Sequence, residues 1–284
     1  MIRDKITIYA PPHPEIKSYI DMVDFAKEHG IKNLETLNIF EFEKPDVEFA
    51  HKLREYADEK GIKIVCVSVG RSLVGDDYIE CVEETKKYAD IAVILGSPYL
   101  HHTIAFEFEN PDKILPNKEK CIERGLYAAR ELYDYAKEHG ILTVCEDQGY
   151  IFNGIEGYKY LIENAGREIG VIADFGNIRQ VDGKIEEFIP EFSDKIVHVH
   201  LKDFGITKKD ERDKLPDELY TVDKDYLGDY SFGDGDVNFE AGFSELKKIG
   251  YDGYYAIERT EKSKDDIDKY MKNIEYICKT AQLF

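Results

Sequence analysis

The sequence predicts a single (β/α)8 barrel, and three observations favour this fold. Strand-like and helix-like segments alternate along the whole chain in eight units, as a parallel barrel requires. The length of 284 residues is typical of one such barrel. No break in composition marks a second domain, so residues 1–284 are expected to form one barrel domain.

Apolar runs that stop at glycine or proline organise the first half of the chain. Gly30 and Gly61 follow helical patterns directly, and glycine commonly ends a helix at that position. The aliphatic run at residues 91–95, with Gly96 behind it, is predicted to be a buried fourth strand. Strands are therefore predicted at 6–9, 33–37, 62–69 and 91–95, and helices at 16–29, 45–60 and 76–89.

The second half of the chain continues the alternation. Pro116 opens a long helical segment, and Gly140 ends it. Residues 208–236 are polar and turn-rich and lack periodicity, so they are predicted to form a long loop after strand seven that covers the barrel rim as a lid. Strands five to eight are predicted to end at Glu146, Asp174, His200 and Glu258, with helices at 116–139, 154–168, 184–192, 239–249 and 265–280.

Charge and composition argue against several classes of partner. The formal net charge of -20 disfavours nucleic acids and anionic membrane surfaces, because polyanions would be repelled, but it allows a small phosphorylated substrate. No apolar stretch approaches the ~20 residues that span a bilayer, and the first residues do not resemble a signal peptide. Five cysteines without CxxC spacing suggest reduced thiols. We therefore expect a cytoplasmic protein.

Four acid or imidazole side chains stand where predicted strands stop, namely Glu146, Asp174, His200 and Glu258. The carboxyl ends of parallel barrel strands meet at one rim, so the four are expected to converge there. Three carboxylates at one point would repel each other strongly unless a divalent cation lay among them. Such a donor set suits Mn²⁺, Mg²⁺ or Co²⁺, with Zn²⁺ as a further possibility. The alternative is that the four are ordinary strand ends satisfied by salt bridges.

Five short pieces of the chain stand in a specific order and spacing. They are residues 145–146 (CE), 173–177 (ADFGN), 197–203 (VHVHLKD), 233–237 (GDGDV) and 257–259 (IER). In these pieces the chain resembles the xylose-isomerase-like barrels, a family of sugar phosphate isomerases and epimerases. The resemblance implies one divalent metal ion held by Glu146, Asp174, His200 and Glu258, with Glu146 and Glu258 acting also as the catalytic acid and base, as in related ketose 3-epimerases.

A cation at this rim would bind adjacent oxygens of a hydroxy-ketone, polarise the carbonyl and stabilise an enediolate. Glu146 and Glu258, on strands five and eight, would face opposite sides of one carbon, so that one removes a proton and the other returns one. Return to the neighbouring carbon would instead interconvert an aldose and a ketose. The sequence therefore predicts an isomerase or epimerase that acts on a small sugar or sugar phosphate.

Four further side chains are predicted to contact the substrate. Asn177 stands three residues after Asp174, where many relatives carry histidine, and it can donate a hydrogen bond but cannot relay a proton. Lys202 is a candidate contact for a substrate oxygen or phosphate. His101 is placed in the loop after strand four. His198 lies one layer below His200 on the same side of strand seven, where it would support a metal ligand or pack in the core.

Other functions stay open at this level. The same site would suit an inosose-type dehydratase, in which the enediolate expels a hydroxyl group. A non-catalytic sugar-binding barrel is a further alternative, whereas a nuclease of the endonuclease IV branch is disfavoured by the charge and by too few histidines. A homo-oligomer is also possible. The apolar residues Tyr99, Leu100, Phe106 and Phe108, assigned to rim loops, would then pack against a partner subunit or line the substrate pocket.

Overall fold

Eight parallel strands close into a barrel in the computed structural model, which describes residues 2–105, 110–216, 218–258 and 267–284. The barrel strands are β1 (Ile6–Ile8), β2 (Asn33–Thr36), β3 (Lys63–Val69), β4 (Tyr99–His102), β5 (Leu142–Glu146), β6 (Gly170–Asp174), β7 (Ile196–Leu201) and β11 (Tyr255–Ile257). Neighbours around the barrel follow chain order from β1 to β7, and β11 then closes the ring between β7 and β1. The predicted fold is confirmed.

Helices connect successive strands and pack outside the barrel. They are α1 (Tyr19–Glu28), α2 (Val47–Lys60), α3 (Tyr78–Leu95), α4 (Pro111–Ile114), α5 (Lys118–Glu138), α6 (Gly154–Ala165), α7 (Ile185–Glu191), α8 (Phe239–Lys248) and α9 (Ile267–Ala281). Short 3-10 helices cover Ile2–Lys5, Phe40–Phe42, Leu115–Asn117 and Asn177–Val181. Among the described residues, no helix has both the length and the apolar character that crossing a membrane requires.

Local sequence sets the ends of these helices, as α2 shows. The Asp46 carboxylate accepts a hydrogen bond at 2.9 Å from the backbone N–H of Phe49, one of the donors that a helix start leaves free. Gly61 ends the helix with φ of 73°, a left-handed conformation that glycine adopts without steric cost. The core lies between strands and helices, where Tyr19 and Phe188 are fully buried.

The predicted fourth strand was wrong. Residues 91–95 form the last turns of α3, and β4 follows as Tyr99–His102. Within α3, Tyr88, Ala92 and Leu95 are buried at helical spacing, whereas Val93 is 48% exposed. A short aliphatic run cannot be assigned by periodicity alone, which explains the error.

The corrected position of β4 changes several assignments. His101, Tyr99 and Leu100 lie within this strand and not in a rim loop. Leu100 is fully buried and therefore cannot contact a partner subunit. Phe106 and Phe108, the other two residues proposed for that contact, lie outside the described residues.

The predicted loop after strand seven contains regular structure. A three-stranded antiparallel sheet, in the order β8–β10–β9, is formed by Asp203–Thr207, Tyr226–Tyr230 and Leu219–Tyr220. The turn that returns the chain to the barrel is held by Asp203, whose carboxylate accepts hydrogen bonds from the backbone N–H groups of Gly233 at 2.8 Å and Gly235 at 3.0 Å. Residues 233–237 therefore form a structural turn.

Candidate active site

Four predicted side chains meet at the carboxyl ends of the strands. Glu146 and Asp174 are the last residues of β5 and β6, His200 lies in β7 opposite Asp174, and Glu258 follows β11 directly. Each offers one ligand atom, and these atoms all lie within 4.8 Å of one another. We call these four residues the outer cluster. Asp174 and His200 are completely buried, whereas the Glu258 side chain is 22% exposed, so the cluster opens toward Glu258.

The His200 ring is the centre of the outer cluster. Its Nδ1 atom lies 3.1 Å from Glu146 Oε2, 3.5 Å from Glu258 Oε2 and 3.9 Å from Asp174 Oδ2. Its other nitrogen, Nε2, points away from the cluster toward Glu35. Tyr9 packs on the ring with a centroid separation of 4.9 Å, which helps to fix its orientation. Nδ1 is therefore the nitrogen available to a ligand of the outer cluster.

Backbone groups fix the Asp174 carboxylate. Its Oδ1 atom accepts hydrogen bonds from the N–H groups of Gly176 at 2.8 Å and Asn177 at 2.7 Å. The N–H of Asp174 itself donates to Asp147 Oδ1 at 2.9 Å. Only Oδ2 then remains to face the cluster.

Lys202 compensates part of the negative charge. Its Nζ atom lies 3.2 Å from Asp174 Oδ2 and 2.7 Å from Glu258 Oε1, and the side chain is only 3% exposed. The expectation that these carboxylates need a dication to coexist was therefore too strong, because the chain supplies a cation of its own. The expected role of Lys202 as a substrate contact stays a prediction.

Sequence reasoning missed Glu35, a fully buried carboxylate at the end of β2. Its Oε1 atom accepts hydrogen bonds from His200 Nε2 at 3.1 Å and from Ser68 Oγ at 2.5 Å. Its Oε2 atom accepts one from His198 Nε2 at 2.7 Å. We call Glu35, Ser68, His101 and His198 the inner network. The available signal was an acidic residue inside a predicted strand, since residues 33–37 were predicted to form strand two.

His101 links the inner network to the outer cluster. The Ser68 hydroxyl has one hydrogen, which it donates to Glu35, so His101 Nδ1–H is the donor in the 3.1 Å contact with Ser68. His101 Nε2 then carries a lone pair, lies 3.8 Å from Glu146 Oε1 and has no hydrogen-bond partner among the described residues. Burial lowers the pKa of His101 to about 4, which favours this neutral form.

The two remaining predicted contacts occupy different positions. His198 is fully buried beneath His200 and bonded to Glu35, a position that fits support of a metal ligand better than contact with a substrate. Asn177 is 1% exposed, and within the described residues neither atom of its amide has a hydrogen-bond partner. A buried amide without partners is costly, so Asn177 is suited to bind an incoming polar group.

Neighbouring cations determine the pKa of three carboxyl groups. Burial alone would raise each pKa, because charge is less stable away from water. For Glu35, His200 and His198 outweigh burial and hold the pKa well below its usual range. For Glu146, the hydrogen bond from His200 and the charge of Lys202 outweigh burial and lower the pKa. For Glu258, burial is overcome by Lys202 and His200, which lower the pKa to about 2.

The pKa values of Asp174 and His200 are raised, in contrast to those of the three glutamates. Burial raises the pKa of Asp174 well above its usual value, and Glu258 and Glu146 add to that effect although Lys202 opposes it. The pKa of His200 lies well above its usual value because Glu35 and Glu146 outweigh burial. An excess of carboxylates around a small volume contributes to both shifts, and a further cation would relieve that part.

The outer cluster fits a divalent cation by its donor chemistry. Three carboxylates and one imidazole form a mostly oxygen donor set, typical of Mn²⁺ or Mg²⁺ sites, and Zn²⁺ also accepts such ligands. Among the residues that the structure covers, Asp174 Oδ2 and Glu258 Oε2 receive no hydrogen bond although both are buried. The inner network supplies a second possible set, Glu35, His198 and His200, but hydrogen bonds already engage both oxygens of Glu35.

Known proteins resemble the chain in sequence and in structure. An inosose dehydratase from Clostridium perfringens (strain ATCC 13124) is 30% identical over 265 residues, which cover 84% of this chain and 85% of that protein. A D-allulose 3-epimerase from Methylomonas sp. has a TM-score of 0.75 at 18% identity, with 99% of each chain covered. The IOLI protein with a bound zinc atom has a TM-score of 0.70 at 20% identity, with 98% and 95% covered.

The two structural likenesses, at such low identity, establish the fold alone. The sequence match to the dehydratase spans most of both proteins, and the family model described as xylose isomerase-like TIM barrel matches residues 23–280. The chain therefore belongs to the xylose isomerase-like TIM barrel family.

Proposed function

We propose that the protein is a divalent-metal-dependent enzyme that isomerises or epimerises a small sugar or sugar phosphate through an enediolate. The observation that carries this proposal is the convergence of Glu146, Asp174, His200 and Glu258 within 4.8 Å at the open end of the barrel. The similarity to a D-allulose 3-epimerase in fold and to an inosose dehydratase in sequence supports a carbohydrate substrate.

The four outer-cluster residues would hold the metal ion, with Mn²⁺, Mg²⁺ or Co²⁺ favoured and Zn²⁺ possible. When bound, the ion would polarise the substrate carbonyl and make the neighbouring carbon more acidic. Glu146 and Glu258 have lowered pKa values, so each is ionised near neutral pH and able to accept a proton. A proton returned to the same carbon from the other side gives an epimer, and one returned to the adjacent carbon gives an isomer.

Buried polar atoms around the cluster suit a polyhydroxylated substrate. His101 Nε2 is an acceptor 3.8 Å from Glu146, and the Asn177 amide offers both a donor and an acceptor. Within the described part of the chain, none of these atoms has a hydrogen-bond partner. A sugar hydroxyl group can serve as both donor and acceptor, so it would satisfy either residue. His101 and Asn177 are therefore our proposed substrate contacts.

Proton exchange with solvent tests this proposal directly. Purified protein with Mn²⁺ and a panel of ketoses and ketose phosphates in heavy water should place deuterium on the carbon beside the carbonyl. Glu146→Gln and Glu258→Gln should each lower the exchange rate by ~10²–10⁴-fold, because general acid–base groups contribute that much. Glu156→Gln, at an exposed position in α6, is the matched control and should not alter the rate.

Exchange that persists in both glutamine variants would contradict the assignment of these two carboxylates. An absence of exchange with every sugar would instead favour a non-catalytic sugar-binding barrel.

An inosose-type dehydratase is the second candidate. Two relatives with that name, 26% and 30% identical, each align with 84% of this chain. The same proton removal would begin the reaction, but the enediolate would then expel a hydroxyl group as water. Inosose in the panel distinguishes the two activities, because dehydration yields a diketone with a new ultraviolet band. Isomerisation or epimerisation conserves the substrate mass.

A further inference from the structure

The ammonium group of Lys202 contacts two of the three carboxylates of the outer cluster. Nζ contacts Asp174 Oδ2 at 3.2 Å and Glu258 Oε1 at 2.7 Å. The backbone N–H groups of Gly176 and Asn177 occupy the other oxygen of Asp174. A metal ion bound by Asp174 must therefore use the oxygen that faces Lys202.

The fold directs Lys202 into this position. The residue follows β7 directly, two residues after His200 on the chain. Its stem passes so close to Gly176 that a methyl group there would collide with Cγ of Lys202. The backbone of Gly176, with φ of -94° and ψ of -44°, is one that alanine also adopts. Glycine is therefore required at position 176 because the Lys202 side chain leaves no room for a Cβ atom, and not because of the backbone conformation.

Burial makes the two ion pairs of Lys202 significant. The side chain is 3% exposed, so the ammonium has lost its water and depends on carboxylates for stabilisation. The carboxylates in turn would repel each other without it. The positive charge of Lys202 therefore stabilises the ligand set when no metal is bound, but it opposes a second cation at the same oxygens.

We propose that Lys202 is a built-in competing cation, which keeps the metal ligands together in the metal-free protein and lowers their affinity for a divalent ion. This inference rests on the metal site of the proposed function. Metal binding would then require the ammonium to give up at least its contact with Asp174 Oδ2. An alternative role, a purely structural salt bridge that organises the ligands, predicts the opposite change in metal affinity when Lys202 is lost.

Metal titration of chelator-treated protein distinguishes these roles. The affinity for Mn²⁺ is measured by calorimetry, and thermal unfolding is followed without metal, for wild type, Lys202→Met and Gly176→Ala. We expect Lys202→Met to bind Mn²⁺ at least about tenfold more tightly, since a charge a few ångströms away no longer repels the ion. The same variant should unfold at a lower temperature than wild type when no metal is present.

Lys86→Met is the matched control. Lys86 also bridges two carboxylates, Glu83 at 2.6 Å and Glu131 at 2.9 Å, but it does so between helices on the outside of the barrel. Its loss should leave Mn²⁺ affinity unchanged. Gly176→Ala should shift affinity in the same direction as Lys202→Met but by less, because it displaces the lysine stem and keeps every charge.

Unchanged or weaker Mn²⁺ binding by Lys202→Met would overturn the inference while leaving the metal site in place. If Lys202→Met does not fold without metal, the Mn²⁺ affinity of Gly176→Ala tests the inference instead. Unchanged or weaker Mn²⁺ binding by Gly176→Ala would then overturn it. If neither wild type nor any variant bound Mn²⁺, the metal site itself would be lost and the inference with it.

Discussion

His200 separates two groups of polar side chains that share a chemistry and differ in their hydrogen bonding. On its Nε2 side, the inner network engages both oxygens of Glu35 through His200, Ser68 and His198. On its Nδ1 side, the outer cluster leaves Asp174 Oδ2 and Glu258 Oε2 without a hydrogen bond among the described residues. Both oxygens of the inner carboxylate are therefore engaged by hydrogen bonds. The outer carboxylates keep oxygens for a ligand, although Asp174 Oδ2 is ion-paired with Lys202 at 3.2 Å.

The difference indicates that the two nitrogens of the His200 ring have different functions. A histidine that binds a metal through one nitrogen commonly donates its other N–H to a carboxylate, which fixes the ring and its tautomer. Glu35 lies in that position relative to His200 at 3.1 Å. The inner network thus positions the ring, and the outer cluster would bind the ion.

Asp174→Asn should cause the largest effect on metal binding. The substitution keeps the hydrogen bonds at Oδ1 but removes a charged ligand from the outer cluster. Loss of a carboxylate that only hydrogen-bonds a metal ligand typically lowers metal affinity by ~10–100-fold. Because Asp174 is proposed to bind the ion directly, we expect Mn²⁺ affinity to fall by more than that. Calorimetric titration measures this change. A variant with wild-type affinity would show that Asp174 does not bind the ion.

Glu35→Gln should have an intermediate effect. Glutamine has the shape of glutamate, but its amide nitrogen cannot accept a hydrogen bond from His200 or His198. Mn²⁺ affinity should fall by ~10–100-fold, as expected when the partner of a ligating histidine is lost.

The control for Glu35→Gln is Glu84→Gln, which removes a carboxylate on α3 that pairs with Arg71, a residue of neither the outer cluster nor the inner network. If Glu35→Gln lowered Mn²⁺ affinity as much as Asp174→Asn, it would contradict the proposal that outer residues bind the ion and inner residues only position His200.

Ser68→Ala should have the smallest effect of the three. It removes one hydrogen bond to Glu35 and the acceptor for His101 Nδ1, while His198 and His200 still hold Glu35. One such bond contributes about 1 kcal/mol, so metal affinity should fall by less than ~10-fold. Chemical unfolding without metal, together with the same titration, separates a loss of stability from a loss of affinity. A larger loss of affinity than in Glu35→Gln would contradict this order.

Site residues could be predicted from the sequence where an acidic side chain stands at the end of a strand. Glu146, Asp174 and Glu258 each follow an apolar run, and alternating elements place the ends of parallel strands at one rim. Glu35 was not predicted as a site residue because its role depends on a hydrogen bond with His198. That histidine is 163 residues away in the sequence, on a strand that is not a neighbour of β2. No local pattern encodes such a pairing.

Two other features depended on three-dimensional context. The fourth strand was misplaced because the aliphatic end of α3 resembles a buried strand over five residues. The sequence predicted a contact for Lys202 at the rim, but the passage of its stem beside Gly176 and its contact with two carboxylates are properties of the folded barrel.

Anomalous X-ray scattering from crystals soaked in Mn²⁺ tests the central claim most directly. We predict a single strong peak on the Nδ1 side of His200, coordinated by Glu146, Asp174 and Glu258. A peak on the Nε2 side, between Glu35 and His198, would contradict the assignment of the outer cluster as the metal site.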